Sequence, residues 1–162
     1  MDDDTHIITD SALVYGDALP EGGALLGLDL GTKTIGVATC DPGWRYATAG
    51  KTIARSKFTK DCGTLRSIVA ERSIKGVVIG LPRNMDGSEG PRAQASRAYA
   101  RNLGVALALP ILLWDERWST ASAEAAMIGQ DMSRARRAEK IDSHAAAVIL
   151  QGAIDALAGG GL

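Results

Sequence analysis

The first half of the chain contains three short runs that predict neighbouring strands of a buried sheet. The first run, Ala24–Leu30, is apolar except for the carboxylate of Asp29. A continuous apolar run of this length is typical of a central strand covered on both faces. Gly31 then permits a tight turn, and Thr34–Thr39 predicts a strand that runs straight back. A third strand is predicted over Trp44–Ile53, which completes an antiparallel meander.

In the second half, helical and strand patterns alternate. A meander followed by strands that alternate with helices predicts the α/β class, with one mixed five-stranded sheet and helices on both faces. The predicted elements are a helix over Thr59–Ser73, a strand over Val77–Gly80, a helix over Arg92–Leu107, a strand over Ile111–Trp114, a helix from Ser119 or Thr120 to about Ile128, and a last helix from near Glu139 to the glycines at 159–161.

The charge distribution separates the N-terminus from the rest of the chain. Residues 1–22 hold six acidic residues and neither lysine nor arginine, whereas the whole chain of 162 residues has a formal net charge of −1. The remainder is therefore modestly basic, which permits a polyanionic partner. We expect a flexible acidic tail over 1–22, one domain over 23–158 and a flexible glycine-rich C-terminus over 159–162.

Several protein classes are disfavoured by composition. No apolar run approaches the length of a membrane span, and the acidic N-terminus lacks the basic and apolar regions of a signal peptide. Cys40 and Cys62 have neither CxxC spacing nor an adjacent histidine, as expected of reduced thiols. These features predict a cytoplasmic protein with no membrane association.

Three acidic residues are candidates for a metal site. Asp29 interrupts a buried strand, Glu116 ends a predicted strand, and Asp142 lies in the first turn of the predicted last helix. Each also has a structural interpretation: Asp142 could favour a helix dipole, and Glu116 could pair with Arg117. If the three carboxylates converge, they need a cation to offset their repulsion. Oxygen ligands without histidine or cysteine favour Mg²⁺ or Mn²⁺.

Basic residues occur in two loops and on one helix. Leu81–Pro91 is rich in turn formers and leaves the end of a predicted central strand, which is where ligand loops lie in α/β sheets. Arg97 and Arg101 are one turn apart and are interpreted as a solvated face. A second cluster falls in a predicted loop over 129–138 and the start of the last helix, and its members are Arg134, Arg136, Arg137 and Lys140.

Four motifs together resemble the YqgF/RuvX family of bacterial proteins. They are L-D-L-G-T-K-T-I-G-V-A, V-I-G-L-P-R-N-M-D-G-S-E, D-E-R-W-S-T and K-I-D-S-H-A-A-A-V-I-L, in order between Ala24 and Leu157. The resemblance implies a ribonuclease H-like fold and a metal-dependent nuclease that matures the 5′ end of 16S ribosomal RNA. It also implies a relation to Holliday-junction resolvases. The family's acidic residues correspond to Asp29, Glu116 and Asp142, which would bind Mg²⁺ or Mn²⁺.

The same resemblance implies a substrate-binding set around these acids. Thr32 and Lys33 would orient the scissile phosphate, and Arg117 would neutralise charge nearby. The remaining predicted contacts would hold the nucleic-acid backbone with little base readout. These residues are Arg83, Asn84 and Arg92 in and after the loop, and Arg134, Arg136, Arg137 and Lys140 in the basic cluster.

Other functions stay open at this point. D-L-G-T also opens the phosphate loop of actin-like ATPases, but 162 residues are too few for their two lobes. A resolvase of branched DNA would need a symmetric dimer, and a non-catalytic nucleic-acid-binding module is a third alternative. We expect a monomer or weak homodimer whose partners are RNA and the assembling small ribosomal subunit.

Overall fold

The chain folds around one mixed sheet. The structure is a computed structural model, and it describes residues 7–19, 21–118 and 134–159, the side chains of residues 118 and 134–143 excepted. The strands are β1 (Ile8–Thr9), β2 (Ala24–Leu30), β3 (Thr34–Cys40), β4 (Ala47–Ala54), β5 (Ile74–Leu81) and β6 (Ile111–Asp115). The helices are α1 (Ala12–Asp17), α2 (Phe58–Arg72), α3 (Pro91–Leu107) and α4 (Arg134–Ala158), with a 3-10 turn over Glu116–Trp118.

The sheet of the described residues has the order β1-β6-β5-β2-β3-β4. The meander β2-β3-β4 is antiparallel, whereas β2-β5, β5-β6 and β6-β1 are parallel pairs. This confirms the predicted mixed sheet, but it has six strands rather than five. The additional strand, β1, is only two residues long, too short to give an alternating pattern that could be recognised in the sequence.

Side chains from β2 alternate between two cores, one on each face of the sheet. Leu26, Leu28 and Leu30 pack with α2 and α3, whereas Leu25 packs with α1 and α4. Both faces are therefore covered by helices, as predicted from the apolar run. Among the described residues, no helix combines the length and apolar character that crossing a bilayer requires.

Part of the N-terminal segment is folded onto the sheet. The side chain of Ser11 caps α1 by accepting from the backbone N–H of Val14, and the buried Tyr15 hydroxyl donates to Val77 O at 3.0 Å. Leu19 is also buried in the core on this face. The expectation of a flexible tail over 1–22 is therefore corrected for residues 7–19. This segment is acidic, but its few apolar side chains, such as Tyr15 and Leu19, are buried against the sheet. Residues 1–6 and 20 lie outside the described part of the chain.

Helix α4 begins at Arg134, five residues earlier than predicted. The segment 134–140 contains only arginine, alanine, glutamate and lysine, which are all strong helix formers. The predicted loop over 129–138 is therefore wrong from residue 134 onward, because a cluster of charged residues is compatible with a helix. Asp142 is consequently in the third turn of α4 rather than the first. The helix predicted from Ser119 or Thr120 to Ile128 lies outside the described residues.

Helix α4 runs antiparallel to β2. A Cβ atom at Gly27 would lie 2.8 Å from Leu150 Cβ, so glycine allows the close approach of helix and strand. The Gln151 amide bonds both the N–H of Ala47, at 2.8 Å, and the carbonyl of Arg45, at 3.1 Å. Ala47 pairs with Cys40, which in turn pairs with Leu25 at the start of β2. Later positions of α4 therefore lie near the start of β2, and earlier positions lie toward its end.

Candidate active site

Asp29 lies near the C-terminal end of β2. It pairs with Gly36 of β3 and is partly buried. Because side chains alternate along a strand, Asp29 shares the face of Leu25 and Gly27, which is the face covered by α4. The sheet thus presents a carboxylate under the N-terminal half of α4.

Glu116 is brought to Asp29 by the end of β6. It is the first residue of the 3-10 turn that follows β6, and its side chain lies against Gly80 of β5. A Cβ atom at Gly80 would lie 2.8 Å from both Cγ and Cδ of Glu116 and 2.7 Å from Ile149 Cδ1. Any larger residue at this position would compete with Glu116 for space.

The carboxyl groups of Asp29 and Glu116 form a hydrogen-bonded pair. Burial, the negative charge of Asp29 and the hydrogen bond between the two groups together raise the pKa of Glu116 from 4.5 to about 7. The guanidinium of Arg92 opposes this increase in pKa. A bound cation would favour the charged form of both carboxyl groups and would therefore oppose this increase in pKa.

The donor set of this pair fits a divalent metal ion. It consists of carboxylate oxygens, which are the ligands that Mg²⁺ and Mn²⁺ prefer. The mutual repulsion of the two groups is what a cation would relieve. Among the described side chains, no third acidic, histidine or cysteine residue joins them.

Asp142, the third predicted ligand, is described only through its backbone. It precedes Ala146 by one turn on α4, and Ala146 O would lie 3.2 Å from a Cβ atom at Gly27. The four residues from Ala146 back to Asp142 span about 6 Å along the helix. The two residues from Gly27 to Asp29 span a similar length along β2, so Asp142 lies near the level of Asp29. The side chain of Asp142 lies outside the described part of the chain.

Asp115, the neighbour of Glu116, has the opposite environment. Its carboxylate accepts from the Arg117 guanidinium at 2.9 Å to Nε and 2.6 Å to Nη2. Burial alone would raise the pKa of Asp115, but hydrogen bonds from Arg117 outweigh burial and lower it. Arg117, a predicted substrate contact, is thus held in a forked ion pair at the rim of the site.

The loop between β5 and α3 is held by a second group of ion pairs. Glu89 accepts from Arg97 at 2.6 and 2.7 Å and from Arg83 at 3.3 Å. These bonds, chiefly the ones from Arg97, lower the pKa of Glu89 to about 2. Arg83 also pairs with Asp10 at 3.0 Å. Arg97, interpreted from the sequence as solvated, is therefore a structural partner of the loop.

The other predicted contacts are spread around the pair. Thr32 and Lys33 are exposed between β2 and β3, and Arg92 donates to the Leu30 carbonyl at 3.3 Å. Asn84 closes a turn of the loop by bonding Ser88 with both its backbone and its side chain. The cluster Arg134, Arg136, Arg137 and Lys140 occupies the first two turns of α4, and its side chains lie outside the described part.

Comparison with known proteins then identifies the family. The model of the family RuvX, described as Holliday junction resolvase, matches residues 23–156. The chain belongs to the RuvX family. This confirms the sequence resemblance, while the roles of the individual site residues stay predictions.

Two curated relatives of this RuvX-family chain are similar over nearly their whole length. Both are named "Putative pre-16S rRNA nuclease". The relative from Novosphingobium aromaticivorans is 71% identical over 94% of this chain and 98% of its own. The relative from Sphingopyxis alaskensis is 60% identical over 93% of this chain and 99% of its own.

Solved structures support the fold. RuvC of Thermus thermophilus in complex with a Holliday junction substrate aligns with a TM-score of 0.56 and 11% identity, covering 86% of this chain and 98% of its own. A second T. thermophilus RuvC structure gives a TM-score of 0.50 and 13% identity, with 85% and 98% coverage. The predicted ribonuclease H-like α/β fold is confirmed.

Proposed function

We propose that this chain is a metal-dependent nuclease that hydrolyses RNA phosphodiester bonds, acting at the 5′ end of precursor 16S ribosomal RNA in the cytoplasm. The observation that carries the proposal is the partly buried pair of Asp29 and Glu116, whose carboxyl groups are hydrogen-bonded, with the pKa of Glu116 raised to about 7. Placing two carboxyl groups side by side in a partly buried position costs free energy of folding. Such an arrangement is typical of a site that binds a cation. Membership of a resolvase family and relatives with nuclease names support the enzyme class.

Asp29, Glu116 and Asp142 would hold Mg²⁺ or Mn²⁺. The position of Asp142 on α4, one turn before Ala146, supports its inclusion. Divalent ions in such sites activate water and stabilise the leaving oxygen of a phosphodiester. The chain's own carboxylates would hold the ions at the carboxyl ends of the strands, and a bound ion would favour the deprotonated form of Glu116.

The surrounding residues would position the nucleic-acid backbone. Thr32 and Lys33 would orient the scissile phosphate, and Arg92, which is close enough to affect the pKa of Glu116, would hold the backbone beside it. Arg83 and Arg117 would contact phosphates with the N–H groups that their carboxylate partners leave available, since a guanidinium has five donors. Asn84 would shape the loop that carries them, and the basic cluster on the first turns of α4 would extend the backbone contacts.

The choice of RNA rests on the relatives, whose similarity extends over almost the whole chain. Branched DNA is the second candidate, because the family model is described as a resolvase and the aligned RuvC structure holds a Holliday junction. The two substrates require different assemblies, because a junction needs two active sites related by symmetry.

Cleavage assays test the proposal. A short RNA carrying the precursor leader and a four-way DNA junction are each incubated with wild type and with Asp29→Asn, in Mg²⁺ or Mn²⁺ and with an EDTA control. Metal-dependent RNA cleavage that the variant loses is the expected result. Cleavage of the junction alone would replace RNA with DNA as the substrate. Failure of folded wild type on both substrates, also with ribosomal particles added, would contradict the nuclease proposal.

A further inference from the structure

A small cavity lies near the acidic pair, beside the same end of β2 but on the opposite face of the sheet. It has a volume of about 110 Å³ and is lined by the backbone at the end of β2 and by the first turns of α3. This space suits a group of a few heavy atoms, such as a phosphate, rather than a nucleoside. The lining residues are Leu30, Gly31, Thr32, Arg55, Arg92, Ala95 and Ser96.

Two guanidinium groups face this cavity. Arg55 donates from Nη1 to the Gly31 carbonyl, and Arg92 donates from Nη2 to the Leu30 carbonyl at 3.3 Å. Each bond uses one of the five N–H donors of a guanidinium. No carboxylate is among the described residues that line the cavity, although the Arg92 guanidinium also attracts the nearby Glu116 carboxyl group. The hydroxyls of Thr32 and Ser96 add two neutral donors.

Arg55 is held in place from behind. Its guanidinium stacks over the ring of Tyr99 at 5.2 Å from the centroid, and Phe58 packs edge-on against the same ring at 5.3 Å. A stacked guanidinium keeps its edge available for bidentate binding of phosphate. The Arg55 guanidinium is therefore fixed in position before a ligand binds, which lowers the entropy cost of binding.

The cavity lies close to the acidic pair. Leu30, the last residue of β2, and Gly31 directly follow Asp29 in the chain, and Arg92 both lines the cavity and affects the pKa of Glu116. A nucleic-acid strand whose scissile phosphate lies at the pair would place a neighbouring phosphate near this cavity.

We propose that Arg55 and Arg92, with the hydroxyl of Ser96, form a subsite that binds a backbone phosphate next to the scissile one. The inference rests on the proposed nuclease function and adds a residue, Arg55, that the sequence did not indicate. Arg55 is a positioning residue: it contacts a phosphate that does not react.

The test measures binding as well as cleavage. Affinity for a short fluorescent RNA is followed against KCl concentration, without divalent metal, for wild type, Arg55→Gln and Arg55→Lys. Arg101→Gln is the matched control, because Arg101 is exposed on α3 and does not line the cavity. Thermal unfolding of each variant verifies that it is folded.

For Arg55→Gln we expect affinity to fall roughly tenfold, as for loss of a charged hydrogen bond. The slope of log affinity against log salt should decrease in magnitude by about 0.7, the value for one phosphate contact on a single strand. Arg55→Lys should keep the slope and lose part of the affinity, because it keeps the charge without the fork. In cleavage, KM should rise while kcat changes little.

An unchanged salt slope in folded Arg55→Gln would overturn the subsite, whatever happens to stability. Inorganic phosphate as a second probe separates the sources of the ligand. Phosphate that binds through Arg55 while RNA affinity stays independent of Arg55 would assign the cavity to a free anion and would also overturn the proposal. If wild type binds RNA but cleaves nothing, the nuclease proposal fails and the binding slopes still decide the subsite.

Discussion

Asp115 and Glu116 are adjacent in the sequence, yet their carboxyl groups are in opposite electrostatic environments. Asp115 accepts a forked pair of hydrogen bonds from Arg117, and its pKa is lowered. Glu116 is turned toward Asp29, and its pKa is raised to about 7. The backbone changes from strand to 3-10 turn between the two residues, which sends their side chains in different directions.

The difference separates carboxylates held by arginines from the pair that we propose to bind metal. Asp115 and Glu89 accept from arginines and hold the loop between β5 and α3 in place. Asp29 and Glu116 lie against each other, and the net effect of their surroundings is a raised pKa at Glu116. A strongly raised carboxyl pKa is typical of functional sites.

The largest expected effect comes from removing one member of the pair formed by Asp29 and Glu116. Asp29→Asn or Glu116→Gln should reduce the cleavage rate roughly 10²–10⁴-fold, the range for loss of a principal catalytic group. Glu71→Gln is the control, because Glu71 is exposed on α2. Measured kcat values close to wild type for both site variants would show that the pair is not catalytic.

Displacing Glu116 without changing its charge should have a smaller effect. Gly80→Ala places a methyl group within 3 Å of Glu116 and should lower kcat roughly tenfold to a hundredfold, as for a misplacement of about 1 Å. Gly63→Ala is the matched control, since a Cβ atom at Gly63 meets nothing within 4 Å, and it should leave kcat unchanged. Equal kcat values for Gly80→Ala and wild type would show that catalysis does not depend on the position of Glu116.

The pair should also make stability depend on pH. Because the pKa of Glu116 is raised from 4.5 to about 7, the folded state binds a proton more tightly than the unfolded state over that interval. Metal-free stability should therefore fall as pH rises from about 4.5 to about 7. Glu116→Gln should be more stable than wild type above pH 7, by about 1–3 kcal/mol. Urea denaturation across this range measures both, and a variant less stable than wild type above pH 7 would contradict the description.

The carboxylates held by arginines should give the smallest effect and the opposite pH dependence. Glu89→Gln should lose about 1 kcal/mol at neutral pH, as for a partly exposed forked ion pair. Because the pKa of Glu89 is lowered from 4.5 to about 2, wild type should lose this stabilisation as pH falls through that interval. The difference in denaturation midpoint between variant and wild type should then shrink at low pH. A constant difference would mean that the ion pairs do not stabilise the loop.

The central strands of the sheet, and the place of Asp29 near the end of one of them, could be predicted from the sequence because they depend on local pattern. A carboxylate within an apolar run is informative by itself, as at Asp29. The extra strand β1 and the anchoring of Tyr15 could not be predicted, because they depend on contacts with β6 and β5 that are distant in the sequence. Arg55 was missed for the same reason, since its stacking on Tyr99 leaves no sequence signal. The start of α4 was misplaced because a cluster of charges was interpreted as a loop.

The most direct test of the proposed metal site is calorimetric titration of Mn²⁺ into wild type, Asp29→Asn and Glu116→Gln above pH 7. We expect saturable binding to wild type, and binding that is lost or strongly weakened in both variants while they remain folded. Absence of binding to folded wild type, or equal affinity in all three proteins, would contradict the claim that Asp29 and Glu116 form a metal-binding catalytic centre.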